Sequence, residues 1–276
     1  YRDTFRLLLS FAQSELSKSP SALTLEDLDA PFVCQFLDHL EEERHNSPRT
    51  RNHRLAAIRA FFRYAALEEP ALADHIHRVL AIPSKRWTRP AIDFLTVAEA
   101  EAILGGIDTS SWCGRRDFAL LSLALHTGLR ASEFTTLRCQ DVAPGPGAHI
   151  RCHGKGRKER AIPLGKETAR SVAEWLRERA ADPAQALFPN RRGGRLSRDG
   201  VAYILHKHVA NAQKTCPSLR RKRVSPHVLR HTTAVHLLQA GADLSLIALW
   251  LGHESVESAQ VYLDSDLEYK RRILGK

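Results

Sequence analysis

Two segments of the chain place basic and imidazole side chains beside turn or cap residues. In the first, Gly128 is predicted to end one helix and Arg130 to open the next. In the second, Ser225–Pro226 suits the start of a helix, so His227 lies in its first turn and Arg230 on the same face. A helix N-terminus with such side chains attracts an anion such as phosphate. The first segment alone is weak evidence, because an arginine in a turn is more often a surface residue, and the second alone is a weak to moderate signal.

A third segment, Leu249–Tyr262, combines a turn with an imidazole and a phenol. His253 follows Gly252 and is predicted to lie on a turn, and Tyr262 comes nine residues later. Most tyrosines are half-buried aromatic residues with no chemical role, so this spacing by itself assigns no reaction to Tyr262.

Charge and composition narrow the class of protein. The 276 residues include 41 Lys and Arg against 31 Asp and Glu, a net charge of +10. Such a surplus favours a polyanionic partner, usually nucleic acid, although ribosomal and membrane-surface proteins share it. With 43% hydrophobic and 26% charged residues, wholesale disorder is excluded. No apolar run approaches the ~18 residues of a membrane span, and no signal segment opens the chain, so we expect no membrane partner.

The sequence predicts neither a metal nor any other cofactor. The five cysteines are scattered and form no CxxC pair, so we expect reduced thiols in a cytoplasmic protein. The carboxylates show no set spaced for a two-metal site. Because the chain begins at Tyr1 and contains no methionine, we expect it to be a piece of a longer protein or an altered sequence, with an accessory domain lost upstream.

Periodicity predicts a mainly α fold in two domains. The first eighty residues carry helical apolar stripes only, and Ser47–Pro48 signals a helix start. The proline-rich basic stretch 83–90 breaks the pattern, and Thr96–Glu99 fits a capping box. Strand patterns at 149–152 and 159–163 flank a glycine-containing turn and predict a short hairpin. We therefore predict an all-helical domain at 1–83, a linker at 84–94, and a mostly helical domain at 95–276 with a small antiparallel β-sheet. Further helices are predicted near 115–126, 131–138, 166–181, 197–212, 227–240 and 245–251.

Taken together, these segments resemble the tyrosine recombinase (phage-integrase-like) family, which includes Xer-type recombinases and transposon integrases. The matching stretches occur in the family's order and cover essentially the whole chain, and five motifs in order are a specific signal. They are Thr127–Glu133, Gly154–Arg160, Ile162–Leu164, His227–His231, and Leu251–His253 with Tyr262.

The resemblance implies a role for each matching position. Arg130 and Arg230 correspond to the two catalytic arginines, and Tyr262 corresponds to the nucleophile. Lys155 corresponds to the catalytic lysine, with Lys158 as its rival. The remaining catalytic positions are His227 and His253, the latter at a place held by His or Trp. The Leu-Asp-Ser that follows the tyrosine, where many relatives have Thr-His, identifies no subfamily.

By the same resemblance, the chain is a site-specific DNA recombinase that needs neither metal nor ATP. A tyrosine attack stores the broken bond as a 3′-phosphotyrosyl ester, and strand exchange passes through a Holliday junction. The first domain corresponds to a core-binding domain that clamps double-stranded DNA. The family also implies a homo-tetramer on DNA, exchange of the C-terminal tail between subunits, and action at the nucleoid of a bacterium or on a mobile element.

Several basic residues are candidates for DNA contacts because their charges add to one field. The alternative for each is a solvated surface position. Glu133 is expected to support nearby basic residues, whereas His231 and His236 are expected to be structural. The DNA-binding candidates are Arg49, Arg51, Arg54, Arg157, Lys158, Arg221, Lys222 and Arg223.

Two other functions remain open at this stage. A type IB topoisomerase uses similar chemistry but relaxes supercoils as a monomer. A DNA-binding regulator would bind DNA and never cut it.

Overall fold

The mainly α fold predicted from the sequence is confirmed by the computed structural model. The chain divides into two compact units, Tyr1–Pro90 and Ala91–Lys276. The part of the chain that the structure describes holds twelve α-helices and one small sheet, which lies in the second unit. The described residues are 1–88, 92–154, 159–180, 182–253 and 255–265.

The first unit is all-helical within its described residues. Two of its helices begin at side-chain caps, because Asp29 accepts a hydrogen bond from the Phe32 amide and Ser47 accepts one from the Thr50 amide. The apolar stripes meet in a core that includes the fully buried Leu8. The helices are α1 (Arg2–Leu16), α2 (Ala30–Glu42), α3 (Pro48–Glu68) and α4 (Ala73–Ala81).

The chain that leaves α4 is held along α3 by side chains of that helix. The Asn52 amide exchanges two hydrogen bonds with the Lys85 backbone, at 2.8 and 3.0 Å. Further along, the Arg49 guanidinium lies 5.4 Å from the centre of the Trp87 ring. The start of the stretch predicted to be a linker at 84–94 is therefore part of the first unit up to Trp87.

Arg51 was predicted to contact DNA, but the structure buries its side chain within the first unit. Its side chain is 6% exposed and pairs with Glu41 at 3.4 Å. A guanidinium buried against its own carboxylate contributes to the fold and is not available to a phosphate. Helical periodicity places Arg51 one turn before the core residue Leu55, which explains its burial.

The second unit contains eight helices among its described residues. Predicted caps are confirmed at two of them: Thr96 and Glu99 form a capping box, and Ser225 accepts a hydrogen bond from the Val228 amide. The helices are α5 (Val97–Gly105), α6 (Trp112–Thr127), α7 (Ala131–Thr136), α8 (Lys166–Arg179), α9 (Arg198–Ala212), α10 (Pro226–Gln239), α11 (Leu244–Leu251) and α12 (Glu257–Ser265).

The sheet is antiparallel and has three strands in the order β1 (Val142–Ala143), β2 (His149–His153) and β3 (Glu159–Pro163). Strands β2 and β3 pair in the register Ile150 to Ile162, which confirms the predicted hairpin strands. The remaining strand, β1, adds an edge that the sequence did not predict, because two residues carry no recognisable alternation. Among the described residues, no helix has both the length and the apolar character needed to span a bilayer.

Candidate active site

Arg130 stands at the junction of α6 and α7, where the chain turns sharply. Gly128 ends α6 in the left-handed conformation, with φ 62°, and Arg130 is the N-cap residue of α7. The Arg130 side chain is 40% exposed, so its guanidinium remains available to an external anion. This junction agrees with the turn predicted from Gly128 and the helix predicted to open at Arg130.

Glu133 lies between two arginines beneath this junction. Its carboxylate accepts two hydrogen bonds from Arg160 at 3.0 Å, one from the Arg130 amide at 2.7 Å, and one from the Arg130 guanidinium at 3.3 Å. Burial raises the pKa of Glu133, but the hydrogen bonds from Arg160 and Arg130 outweigh it and hold the pKa below its usual range. Glu133 therefore remains a carboxylate and orients both guanidinium groups, as expected from the sequence.

Arg230 projects from α10 into the interior of the unit. Its guanidinium donates to the carbonyl oxygens of Gly128 at 2.8 Å and Leu251 at 2.7 Å. Burial lowers the pKa of Arg230 to about 10, with a further decrease from the charge of Arg130. The side chain is still a cation at neutral pH, and it holds the turn before Arg130 against the end of α11.

Three arginines bind three successive carbonyl oxygens at the C-terminal end of α11. Arg160 donates to the Trp250 carbonyl at 3.1 Å and Arg130 to the Gly252 carbonyl at 3.2 Å, while the Leu251 carbonyl between them accepts from Arg230 at 2.7 Å. A helix leaves its last carbonyls without intrahelical partners, and its dipole favours cations there. The end of α11 therefore gathers guanidinium groups from three separate segments into one positive cluster.

Tyr262 of α12 packs beside this cluster in the same subunit. Its ring is stacked on His253 at a centroid distance of 6.1 Å and meets His231 edge-on at 5.5 Å. Burial raises the pKa of Tyr262, and the charges of Arg230 and Arg130 partly offset that rise. With 2% of the residue exposed, the phenol is protonated at neutral pH and is covered by its neighbours.

The two predicted histidines have different surroundings. His253 is partly buried, and this burial together with the charges of Arg230 and Arg130 lowers its pKa to about 4. It is therefore neutral at pH 7 and can accept or donate a hydrogen bond without carrying charge. His227 is exposed in the first turn of α10, where its ring lies 4.2 Å from that of His231.

An open cleft of about 820 Å³ borders these groups. Its wall includes Arg130, Glu133, Arg160, Gly252 and His253. Within the described ranges, no group of three or more His, Cys, Asp or Glu side chains is arranged to hold a metal ion.

The other predicted residues have different placements. The positions of Lys155, Arg157 and Lys158 lie outside the described residues. Arg221 and Arg223 are exposed just before α10.

Lys222, which was predicted to contact DNA, instead forms an ion pair within the fold. Its ammonium group lies 2.6 Å from the Glu99 carboxylate and donates to the Phe94 carbonyl at 2.7 Å. Both partners are more than a hundred positions away along the chain, so the run of four basic residues gave no sign of this pairing. Lys222 therefore anchors the basic segment and is not one of its free cations.

Arg54 and Arg49, the other candidates of the first unit, also have partners in the fold. Arg54 donates to the Thr4 hydroxyl at 3.1 Å, while Arg49 is exposed beside Trp87.

Arg160 is a site residue that the sequence analysis did not single out. It was quoted only as the end of a matching motif, yet it binds Glu133 through two hydrogen bonds and the end of α11 through a third. A signal was present in the strand pattern, since Arg160 shares a strand face with the buried Ile162, and an arginine on an inward face requires an acidic partner.

Comparison with known proteins identifies the family of the chain. The model of the phage integrase family matches residues 93–268, and that of the phage integrase SAM-like domain matches residues 1–79. The chain belongs to the phage integrase family. It is therefore a tyrosine recombinase, an enzyme of site-specific recombination that breaks and rejoins DNA strands.

Relatives of this recombinase cover its whole length. It is 53% identical over 276 residues to the putative integrase/recombinase y4rC of Sinorhizobium fredii strain NBRC 101917 / NGR234, covering 100% of this chain and 83% of that protein. It is 34% identical over 277 residues to tyrosine recombinase XerC of Pelobacter propionicus strain DSM 2379, covering 100% of this chain and 87% of that protein.

Solved structures share the fold of the recombinase. The post-cleavage complex of the XerH site-specific recombinase with a palindromic difH substrate matches with a TM-score of 0.75 and 24% identity, covering 99% of this chain and 78% of that one. The Tn1549 transposon integrase in complex with circular intermediate DNA matches with a TM-score of 0.70 and 21% identity, covering 98% of this chain and 91% of that one.

Proposed function

We propose that Tyr262 is the nucleophile of this recombinase and that it attacks a phosphodiester of double-stranded DNA at a specific site. Its phenolic oxygen forms a bond to phosphorus while the bond from phosphorus to the 5′-oxygen breaks. The phenol gives up its proton to His227 or to solvent, and the leaving 5′-oxygen takes up a proton, so the products are a 3′-phosphotyrosyl ester and a 5′-hydroxyl. Rejoining reverses these steps with the 5′-hydroxyl of another strand, so no external energy source is needed.

The proposal rests mainly on the position of the Tyr262 ring in its own subunit. The ring is stacked on His253, and the charges of Arg230 and Arg130 act on its hydroxyl. Two guanidinium groups can each donate a pair of hydrogen bonds to the non-bridging oxygens and stabilise the charge of the pentacoordinate transition state. Because the residue is only 2% exposed, the groups that cover its hydroxyl must move aside before a DNA phosphate can reach it.

We assign the remaining roles by charge and exposure. Exposed His227 is placed to exchange a proton or hydrogen-bond the phosphate, and neutral His253 to hydrogen-bond it. The proton for the leaving 5′-oxygen is assigned to Lys155, on the resemblance to the family alone. Exposed Arg221 and Arg223 are assigned to the phosphate backbone of DNA, so binding should weaken steeply with salt.

We propose further that four subunits act together on two DNA sites through a Holliday junction, with their C-terminal tails exchanged. The residues of that tail, 266–276, lie outside the described part of the chain. The DNA in question would be that of a bacterial nucleoid or a mobile element.

The decisive experiment looks for the covalent intermediate. The protein is incubated with a pool of nicked duplexes of randomised sequence, which trap the adduct because the short cleaved strand diffuses away. SDS-resistant complexes are recovered, and their DNA is sequenced to define the site. We expect the nucleotide-linked peptide to contain Tyr262, and the Tyr262→Phe variant to give no adduct while still binding the site.

The same reagents separate the alternatives. A non-cutting regulator would retard the DNA without any adduct. A topoisomerase would relax a supercoiled plasmid as a monomer and would not resolve a junction made from the selected site. An adduct that persists in the Tyr262→Phe variant would show that another residue is the nucleophile.

A further inference from the structure

His231 is a partly buried titratable group in the middle of the candidate site, and the proposed reaction gives it no role. It lies one helical turn after His227 on α10 and next to Arg230. Its ring meets the His227 ring at 4.2 Å and 65°, and the Tyr262 ring at 5.5 Å and 62°. Both contacts are edge-to-face, an arrangement that fixes the relative orientation of aromatic rings. His231 is thus the packing partner shared by the proposed nucleophile and one proposed catalytic histidine.

The electrostatic surroundings of His231 keep it neutral. Burial lowers its pKa to about 4, and the charges of His227, Arg230 and His253 contribute to this decrease. Its Nδ1 atom is buried and has no hydrogen-bond partner among the described residues. A neutral imidazole with this pKa is a poor acceptor for a phenolic proton, because a phenol gives up its proton only near pH 10. What the ring does contribute is a flat surface against two neighbours.

We propose that His231 is a positioning residue whose ring holds the Tyr262 phenol and the His227 imidazole in place. The shape of the ring does this, and its nitrogen atoms are dispensable. The inference rests on the proposed role of Tyr262, since only a nucleophile has a reason to be held in one orientation. A displacement of reacting atoms by about 1 Å costs on the order of 100-fold in rate, so a lost packing partner should be visible in the chemical step.

Three variants of the full chain separate shape from nitrogen chemistry. His231→Ala removes the ring, His231→Leu keeps volume without a flat ring, and His231→Phe keeps a flat ring without nitrogen. Each is mixed in excess with the nicked duplex selected above, and three quantities are measured: the single-turnover rate of adduct formation, the Kd for the duplex, and the Tm.

We expect the Ala and Leu variants to form adduct about 10- to 100-fold more slowly than the unchanged protein, with Kd within about twofold. The Phe variant should recover the rate to within about threefold, and its Tm should not fall, because it replaces a buried nitrogen that has no partner. A matched control is His236→Ala. That histidine is also partly buried on α10, but it contacts the Leu95 carbonyl at 3.0 Å and not Tyr262. The His236→Ala variant should have a lower Tm than the unchanged protein but should form adduct at the same rate.

Two results would overturn the inference. If the Phe variant is as slow as the Ala variant, a nitrogen of His231 takes part and ring shape is not the cause. If the Ala and Leu variants are as fast as the unchanged protein, the ring positions nothing. Should the Ala variant fail to fold, the comparison of Leu with Phe decides between these cases. Failure of the proposed function looks different, because the unchanged protein itself would then form no adduct.

Discussion

Arg130 and Arg230 donate to the adjacent carbonyl oxygens of Gly252 and Leu251, at 3.2 and 2.7 Å. The first arginine comes from the start of α7 and the second from the middle of α10, 100 positions later in the chain. The end of α11 therefore sets the distance between the two guanidinium groups that we assign to one phosphate. Any change that moves this end should alter catalysis more than it alters DNA binding.

Gly252→Ala tests this dependence. Gly252 has φ 66°, a conformation that costs a residue with a side chain about 1–2 kcal/mol, and an added Cβ would lie 2.7 Å from Nη1 of Arg160. We expect a loss of about 1–3 kcal/mol of unfolding free energy by urea titration, because the clash adds to the strain. Adduct formation with the selected duplex should be slower by at least about tenfold.

Gly241→Ala is the matched control for that variant. Gly241 also has a positive φ, 95°, but an added Cβ there would have open space around it. It should cost stability through backbone strain while leaving the rate of adduct formation unchanged. Equal slowing by both variants would show that lost stability, and not the position of the α11 end, limits the reaction.

Glu133→Gln tests the carboxylate that holds Arg130 and Arg160. Because Glu133 is only 5% exposed, the amide would leave two guanidinium groups without their anion and would turn a donor toward one of them. We expect a loss of about 3–5 kcal/mol of unfolding free energy, the usual effect of breaking a buried pair. Chemical denaturation at neutral pH measures this loss.

Glu178→Gln provides the comparison at the surface. Glu178 accepts two hydrogen bonds from Arg115 at 2.7 and 2.8 Å, the same two-bond geometry in a side chain that is 28% exposed. The expected loss is about 0.2–1 kcal/mol, because water replaces the lost contacts. If both substitutions lower the free energy of unfolding by the same amount, the burial of Glu133 adds nothing to the strength of its ion pairs. Its assigned role in orienting the arginines would then be wrong.

Local features were predicted correctly from the sequence, because each depends on residues that are close together along the chain. The cap at Ser225, the capping box from Thr96 and the pairing of β2 with β3 depend on interactions within a few positions or across one turn. Family resemblance identified positions whose side chains the structure does bring together, among them Arg130 and Arg230. This part of the site could be predicted because the motifs occur along the chain in the family's order.

Contacts between distant segments could not be predicted. Arg51 and Lys222 were read as DNA contacts from their place in basic runs, yet each has an acidic partner elsewhere in its own unit. The importance of Arg160 and His231 depends on which surfaces of strand β3 and helix α10 face the end of α11. Spacing along the chain does not contain this information, because it arises from packing of elements that are remote in sequence.

Low pH should destabilise the fold through the histidines of the site. His231 and His253 both have a pKa of about 4 in the folded protein, below the ordinary value of 6.5. Between pH 6.5 and pH 4, the two histidines are therefore protonated in the unfolded chain but neutral in the folded protein. Their contribution to the free energy of unfolding is complete above pH 6.5 and decreases as the pH drops toward 4. Glu99, Asp117 and Glu133 have lowered pKa values and stay charged over most of this range.

Urea titrations at about pH 7.5, 6 and 5 measure this fall. The His231→Phe variant removes one of the two groups, so its stability should depend less steeply on pH. Unchanged stability from pH 7.5 to 5 would mean that these rings take up protons as readily in the folded protein as in the unfolded chain, so that burial does not lower their pKa values.

Thr232→Val should weaken the contact between the segment before α5 and α10, the helix that carries His227 and Arg230. The fully buried Thr232 hydroxyl accepts a hydrogen bond from the Leu95 amide at 2.9 Å and donates to the Val228 carbonyl at 2.9 Å. Valine has the same shape but leaves the buried Leu95 amide without a partner, which costs about 1–3 kcal/mol.

The equally buried Thr127 gives the control for this last prediction. Its hydroxyl donates to the Leu123 carbonyl of its own helix, at 2.6 Å. Thr127→Val therefore removes a donor and leaves no amide without its hydrogen-bond partner. The expected loss is below about 1 kcal/mol, and the difference between the two variants, read from their urea midpoints, isolates the contact with Leu95. A Thr232→Val variant as stable as Thr127→Val would mean that the hydrogen bond from the Leu95 amide does not help to hold α10.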